Sequence, residues 1–211
     1  MSTISTLKEL KKQFGSKEDG GDAKWPKRLF IKSGDSIKLR FLQEISQDAS
    51  NFNIERGSVE KFRVHIHPLN FKKSCLCTMA SDGSCWACDQ VVLDKAWRAF
   101  DRYLVNVGFL TDGGEWEVAV LELKPTKNSI LSTLIEAAEE FDNTIVKHTW
   151  KYSRSGAGLD TNYSIIPLKE EAEPSMLKDA ELWDLSLVYR SVPSVDQKVF
   201  FLEDDSSDSW A

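Results

Sequence analysis

The chain has 211 residues, of which 41% are hydrophobic, and it carries a formal net charge of −6. This length suits one medium domain with tails, and the sequence has no apolar run long enough to cross a bilayer. The charge is uneven, because residues 1–75 carry 15 basic and 9 acidic side chains whereas residues 168–211 carry 4 and 11. A basic front and an acidic end predict an anionic partner and a self-masking tail, although an unevenly charged solvated surface would give the same pattern.

Residues 3–14 have the pattern of a short amphipathic helix. Thr6 can cap this helix, and Glu9 follows three residues later as in a capping box. Three apolar residues share one face of this predicted helix: Leu7, Leu10 and Phe14. A polar, glycine-containing linker follows at residues 15–22. We assign residues 1–24 to a basic arm and linker, which we expect to dock on another surface, such as a neighbouring copy of the chain.

From residue 36 onward the hydrophobic pattern changes to period two, which is typical of β-strands. Further strands are predicted over residues 59–67, 103–110, 116–124, 144–154 and 161–168, and helices over residues 89–102 and 128–141. This order of elements favours a mainly β protein with a five-stranded OB-fold barrel.

The OB-fold core is assigned to residues 25–168. A zinc subdomain at about 62–102 would be inserted between its second and third strands. Residues 169–211 are assigned to an acidic C-terminal tail with a helix over residues 175–187. Aromatic residues set among acids at its end predict a docking peptide.

All four cysteines and two of the three histidines fall within residues 65–88. Cys85 and Cys88 form a C-x-x-C pair, the spacing at which one tight turn directs two thiolates at one metal ion. The loop that precedes them is long enough to return further ligands from Cys75 and Cys77. Disulfides would need an oxidising compartment, and the N-terminus lacks the apolar segment of a signal peptide. The sequence therefore predicts one Zn²⁺ per chain.

Five candidate ligands compete for four positions around this zinc: His67, Cys75, Cys77, Cys85 and Cys88. We favour His67 together with the C-x-x-C pair, and either Cys77 or Cys75 as the fourth ligand. A four-cysteine site is the alternative. His65 lies on the same strand face as His67 but further from the loop, which makes it the weaker histidine. Four protein ligands leave no open position for water or substrate, so the predicted site is structural.

Basic and aromatic side chains are interleaved on the predicted strands, as base stacking with neutralisation of the phosphate backbone requires. The candidate DNA-binding residues are Lys38, Arg40, Arg63, Lys72, Lys73, Trp97, Arg98, Arg102, Tyr103, Trp150, Tyr152 and Arg154. Strand alternation places Trp150 and Tyr152 on one face and Lys151 on the other. For each aromatic residue taken singly, packing in the core is the favoured role, whereas the interleaving of basic and aromatic residues as a set favours DNA binding.

Several stretches of the chain resemble the zinc-containing single-stranded-DNA-binding (helix-destabilising) proteins of T-even-type tailed bacteriophages. Residues 5–10 (Ser-Thr-Leu-Lys-Glu-Leu) look like the N-terminal self-association arm of that family, and residues 38–42 look like its first barrel strand. The spacing of Cys75, Cys85 and Cys88 matches that of three metal cysteines of the family. Its metal histidine precedes these cysteines, as His67 does here at a shorter interval. The acidic C-terminal end resembles the partner-binding tail of the family.

The resemblance implies a protein that coats and protects single-stranded DNA in replication, recombination and repair, in the cytoplasm of an infected bacterial host. Its partners would be single-stranded DNA, neighbouring copies of itself, and replication or recombination proteins bound through the acidic tail, with no membrane involved. The sequence contains no Ser/His/Asp set and no phosphate-binding glycine loop, so we do not expect an enzyme. Two alternatives remain: a zinc-stabilised replisome or transcription interaction module without direct DNA contact, and a zinc-dependent nuclease that uses His65 and His67.

Overall fold

The structure is a computed structural model that describes residues 25–127, 129–170 and 173–203. Its strands are β1 (Ser36–Phe41), β2 (Glu60–Ile66), β3 (Ser74–Leu76), β4 (Phe100–Leu110), β5 (Trp116–Leu123), β6 (His148–Ser155) and β7 (Asn162–Glu170). They form one seven-stranded sheet in the order β3-β2-β4-β1-β6-β7, and β5 pairs with β4 beside this path. All six strand pairings are antiparallel. The period-two segments of the sequence are thus confirmed as strands.

The described helices are α1 (Met79–Asp82), α2 (Trp86–Gln90), α3 (Ile130–Glu140), α4 (Ser175–Lys178) and α5 (Ser194–Leu202). The helix predicted over residues 128–141 is confirmed as α3. The Ser129 side chain caps it by accepting a hydrogen bond from the backbone N–H of Ser132. Such a cap satisfies one of the backbone donors that a helix leaves unpaired at its first turn.

The single helix predicted over residues 89–102 is wrong. In the structure α2 ends at Gln90, and a 3₁₀ turn follows whose start is capped by the side chain of Asp94. The chain then enters β4 at Phe100, and Arg102 pairs across the sheet with Phe62 of β2. Pairing with a neighbouring strand overrides local helical pattern here, because sheet formation depends on cross-strand contacts more than on propensity.

β4 is the central strand of the sheet, because it pairs with three other strands. Its first half pairs with β2, its second half pairs with β1, and its other edge pairs with β5 along eight residues. Residues 67–99 form an insertion between β2 and β4, where the sequence placed the zinc subdomain. The mainly β class is confirmed. The sheet is open, however, so a closed five-stranded barrel is not what these strands form.

The main hydrophobic cluster lies on one face of the sheet, here called the inner face, and α3 covers it. Leu131 and Leu134 of α3 are buried together with Leu39 of β1 and Trp150 of β6. Trp150 is fully buried, and its indole N–H donates to the backbone carbonyl of Ile145 at 3.0 Å. The strand alternation that separates Trp150 and Tyr152 from Lys151 is therefore confirmed, and the tryptophan and tyrosine face the core.

The opposite, outer face of the sheet is covered by residues 173–203, which we call the C-terminal strap. Leu185 and Tyr189 of the strap are buried against Val64 and Leu104 of the sheet. Leu177 packs so closely on Gly108 that a Cβ at that glycine would lie 2.6 Å from the leucine Cδ1 atom.

The part of the predicted acidic tail that is described is thus folded onto the sheet. Its helices are the short α4 and the later α5, and the predicted helix over residues 175–187 is wrong. The predicted arm at residues 1–24 and the last residues of the tail, 204–211, lie outside the described residues. Among the residues that are described, no helix is long and apolar enough to span a membrane.

Candidate metal centre and nucleic-acid interface

One side chain of β2 and three of the insertion that follows it bring their donor atoms to one point. The atoms belong to His65, Cys77, Cys85 and Cys88, and they all lie within 4.8 Å of one another. His65 Nε2 lies 3.4 Å from the Sγ atoms of both Cys85 and Cys88. Cys77 Sγ lies 3.9 Å from Cys85 Sγ and 3.6 Å from Cys88 Sγ. This cluster can hold a metal ion between three sulfur atoms and one imidazole nitrogen.

Local backbone structure places each of these ligands. His65 lies on β2, and β3 returns antiparallel beside it, so the backbone N–H of Cys77 donates to the carbonyl of Arg63 at 2.8 Å. Gly83 ends α1 with a φ of 69°, a left-handed conformation that glycine adopts readily. The turn leads directly to Cys85, and α2 then presents Cys88.

The His65 ring is oriented by a backbone carbonyl on the far side of the insertion. Nδ1 lies 2.7 Å from the carbonyl oxygen of Trp97, which can only accept a hydrogen bond, so Nδ1 carries the proton. Nε2 is left with its lone pair directed at the cysteines. Burial lowers the pKa of His65, which favours the neutral imidazole that a metal ion needs.

Burial of the thiols explains why the cluster needs a cation. Burial, together with the neighbouring thiols of Cys77 and Cys85, raises the pKa of Cys88 to about 12. For Cys85, burial also acts to raise the pKa, but hydrogen bonds from Cys88 and Thr78 outweigh it and lower the pKa. Three thiolates packed together in a buried site repel one another, and a metal ion supplies the positive charge that stabilises them.

The C-terminal strap closes the cluster from outside. Gln197 of α5 is fully buried, and its Oε1 atom lies 3.3 Å from Cys85 Sγ and accepts a hydrogen bond from the backbone N–H of Ala87 at 3.2 Å. Phe201 packs against the rings of Trp86 and Trp97. Sequence reasoning missed Gln197, because no local pattern connects an amide in the tail with cysteines over 100 residues earlier.

The histidine in the cluster is His65, whereas the sequence favoured His67. The turn after β2 uses the His67 ring instead, since Nδ1 accepts hydrogen bonds from the backbone N–H groups of Leu69 and Asn70 at 3.1 and 2.9 Å. Cys75, the other candidate fourth ligand, is fully buried beside the cluster but is not part of it. Burial, together with the nearby thiols of Cys85 and Cys77, raises its pKa to about 12.

The structure separates the candidate DNA-binding residues by burial. Trp97, Trp150 and Tyr152 are buried, which favours the role in the core rather than stacking on bases. Lys73 is also buried, and its Nζ atom donates to the carbonyl of Glu203. Arg40 is buried with its guanidinium held by backbone carbonyls. The candidates that keep exposed or half-buried side chains are Lys38, Arg63, Lys72, Arg98, Arg102, Tyr103 and Arg154.

Some of these residues form a recess beside the metal cluster, which we call the basic patch. It has a volume of about 520 Å³ and is lined by Lys61, Arg63, Arg98, Ala99, Phe100, Asp101 and Pro125. The guanidinium groups of Arg98 and Arg102 each lie 5.2 Å from the centre of the Phe100 ring. Lys61 lies 5.9 Å from the Tyr103 ring and forms an ion pair with Asp101. Alternation on β2 could have identified Lys61 from the sequence, because it lies two residues before Arg63.

The metal cluster and the basic patch are built on the same backbone. Arg63 lies two residues before His65 on β2, and Arg98 follows the Trp97 carbonyl that orients the His65 ring.

Comparison of the chain with protein-family models, curated proteins and solved structures found no match. Function must therefore be inferred from this site itself.

Proposed function

We propose that this protein is a zinc-stabilised single-stranded-DNA-binding protein. The observation that carries the proposal is the junction of the metal cluster with the basic patch. A metal ion held by His65 fixes the backbone on which Arg63 and Arg98 stand. Cations beside aromatic rings match what a single strand offers, which is phosphates along one edge and base faces along the other.

Zinc suits the donor set best. Zn–S bonds of about 2.3 Å and Zn–N bonds of about 2.0–2.1 Å place the ligand atoms of a tetrahedron about 3.5–3.8 Å apart. The separations that join His65 and Cys77 to the C-x-x-C pair run from 3.4 to 3.9 Å. Four protein ligands leave no position for a reactive water, so the ion serves as a structural clamp. A nuclease would need such a position, and we therefore propose a binding protein.

The wider role follows the resemblance described above. We propose that copies of the chain coat single strands during replication, recombination and repair of phage DNA in an infected bacterium. The order of strands, with the metal loop inserted between β2 and β4, supports a relation to OB-fold proteins. Neighbouring copies and replication proteins are the proposed partners of the terminal segments.

Affinity for single strands as a function of salt tests this proposal. The logarithm of the affinity should fall linearly with the logarithm of salt concentration, by roughly 0.7 per phosphate neutralised. The variants Arg63→Gln and Arg98→Gln should each make the slope shallower by about that amount. Lys198→Gln, an exposed lysine on α5, serves as the control. Binding that is absent at low salt would favour an interaction module, and cleavage of the strand with added Mg²⁺ or Zn²⁺ would favour a nuclease.

Removal of the acidic end should strengthen binding. Deletion of residues 204–211 takes away Asp204, Asp205, Asp208 and Trp210. A tethered anionic segment competes with phosphates for the same cations, so we expect severalfold tighter binding at low salt and no difference at high salt. Replacing the three aspartates with asparagine should reproduce the effect if charge is its cause. Equal affinity of all three proteins at low salt would show that the tail does not compete with DNA.

A further inference from the structure

A second polar groove lies away from the basic patch. Its volume is about 670 Å³, within the range of about 300–1,000 Å³ typical of small-molecule sites. One wall is formed by the end of β1 and the segment before β6, and the opposite wall by residues 51–57 and the strap. We call it the Arg40 groove. Its charged lining residues are Arg40, Glu44, Glu55, Arg56, Lys147, Glu173 and Lys178.

The two arginines of the groove are held in place by backbone carbonyls. Arg40 is 2% exposed, and its Nη2 atom donates to the carbonyls of Val146 and Lys147 at 2.9 and 3.3 Å. Arg56 donates from Nη2 to the carbonyls of Leu177 and Lys178, which ties the strap across the groove. The positive charge of both arginines is therefore held in place before any ligand arrives, and such preorganisation lowers the cost of binding an anion.

Two of the three carboxylates in the groove are already engaged. Glu173 forms an ion pair with Arg56 at 2.7 Å. Glu44 is buried, and its two oxygens accept hydrogen bonds from the Thr144 hydroxyl and from the backbone N–H of Ile145. Lys147 and Lys178, in contrast, form no ion pair with any residue in the described part of the chain. The groove thus carries four cationic side chains against three carboxylates.

The positive surface continues from the groove along the sheet. Lys38 of β1 lies directly opposite Lys151 of β6, and both side chains are exposed. Like charges directly across two strands destabilise a sheet unless an anion lies between them. Lys38 and Arg40 share one face of β1, so this pair extends the same row of cations that lines the groove.

We propose that the Arg40 groove binds the phosphate group of a nucleotide, either as a free nucleotide or within a strand. The ammonium groups of Lys147 and Lys178 supply hydrogen-bond donors for this ligand. The two arginines add fixed positive charge, since their guanidinium groups are engaged with the protein. The side-chain amides of Asn51 and Asn53 also line the groove and can contact a base or sugar. The groove shares no lining residue with the basic patch, so this proposal stands independently of the proposed function.

The test is titration calorimetry on the full chain with two probes, deoxyadenosine 5′-monophosphate and a 12-nucleotide oligothymidylate. The test variant is Lys147→Gln with Lys178→Gln, because neither lysine side chain forms an ion pair with a described residue. The matched control is Lys32→Gln with Lys198→Gln, which removes two exposed lysines outside both sites. Melting curves of both variants should coincide with that of the wild type.

If the source of the phosphate is a free nucleotide, the test variant should bind the mononucleotide at least tenfold more weakly than the control does. If the source is a strand, the mononucleotide should not bind detectably. The test variant should then lower the salt slope for the oligothymidylate by about 1.4, at roughly 0.7 per phosphate. Equal binding of both probes by the test variant and the control would overturn the groove proposal. In that case, if Arg63→Gln binds the oligothymidylate more weakly than the wild type does, the basic patch would still be the DNA-binding site.

Discussion

The variant His65→Ala is expected to lose the metal ion, whereas His67→Ala is expected to keep one zinc per chain. Only the His65 ring directs a nitrogen lone pair at the three sulfur atoms, and His67 Nδ1 is engaged with backbone N–H groups. Metal analysis of protein purified without chelator measures the difference. Cys85→Ser and Cys88→Ser should lose zinc as His65→Ala does. Retention of zinc by His65→Ala together with its loss in His67→Ala would exclude the ligand set seen in the structure.

Loss of the ion should loosen one part of the molecule rather than unfold it. A structural zinc contributes about 10–16 kcal/mol of binding free energy in small peptides, where it supports the whole fold. The main cluster beneath α3 contains no residue of the insertion, so that core persists without metal. We expect faster hydrogen exchange in residues 67–99 and in α5, which contacts the cluster through Gln197. Exchange that rises equally in α3 would show that the ion supports the entire sheet.

The variant Trp150→Ala is expected to destabilise the protein by about 3–5 kcal/mol, the range for removing a buried aromatic side chain. Trp150 is fully buried, packs edge-on against Phe41, and uses its indole N–H in a hydrogen bond to Ile145. Its loss leaves both a cavity and an unpaired carbonyl. Denaturant unfolding measures the free energy of unfolding.

Lys151→Ala is the matched control for this substitution, since Lys151 is exposed on the opposite face of the same strand. Surface changes of this kind usually alter stability by less than about 0.5 kcal/mol. A Trp150→Ala protein with wild-type stability and weakened DNA binding would restore the role that the sequence suggested for this residue. Wild-type stability alone would contradict the packing seen around it.

Strand positions could be read from the sequence, but the face that each strand buries could not. Alternation alone separated Trp150 from Lys151, yet it gave no indication that the aromatic side faces α3. A pattern of period two fixes which side chains share a face, whereas the identity of the core face depends on what packs there. That information lies in α3 and in the strap, which are distant in sequence from the strands they cover.

The metal cluster was predicted in part. The C-x-x-C pair could be assigned from spacing, whereas Cys77 and Cys75 stayed open as alternatives for the fourth ligand. The choice between His65 and His67 could not be made from the sequence, since both lie on one face of the predicted strand. The shorter distance along the chain from His67 to the cysteine loop favoured the wrong histidine. The pairing of β3 with β2 decides it, because it carries Cys77 back past the turn to the level of Arg63. No sequence motif indicates that the Trp97 carbonyl orients the His65 ring.

The strap has a consequence for how the protein is made. The residues that cover Val64 and Leu104 belong to positions 183–189, which leave the ribosome after every strand of the sheet. Until then a nascent chain presents an apolar sheet face to other nascent chains, and exposed surfaces of this kind favour aggregation. A gene fragment that stops at the end of β7 should therefore yield insoluble protein. A fragment that extends through Leu202 should yield soluble protein, although the two differ by only 32 residues.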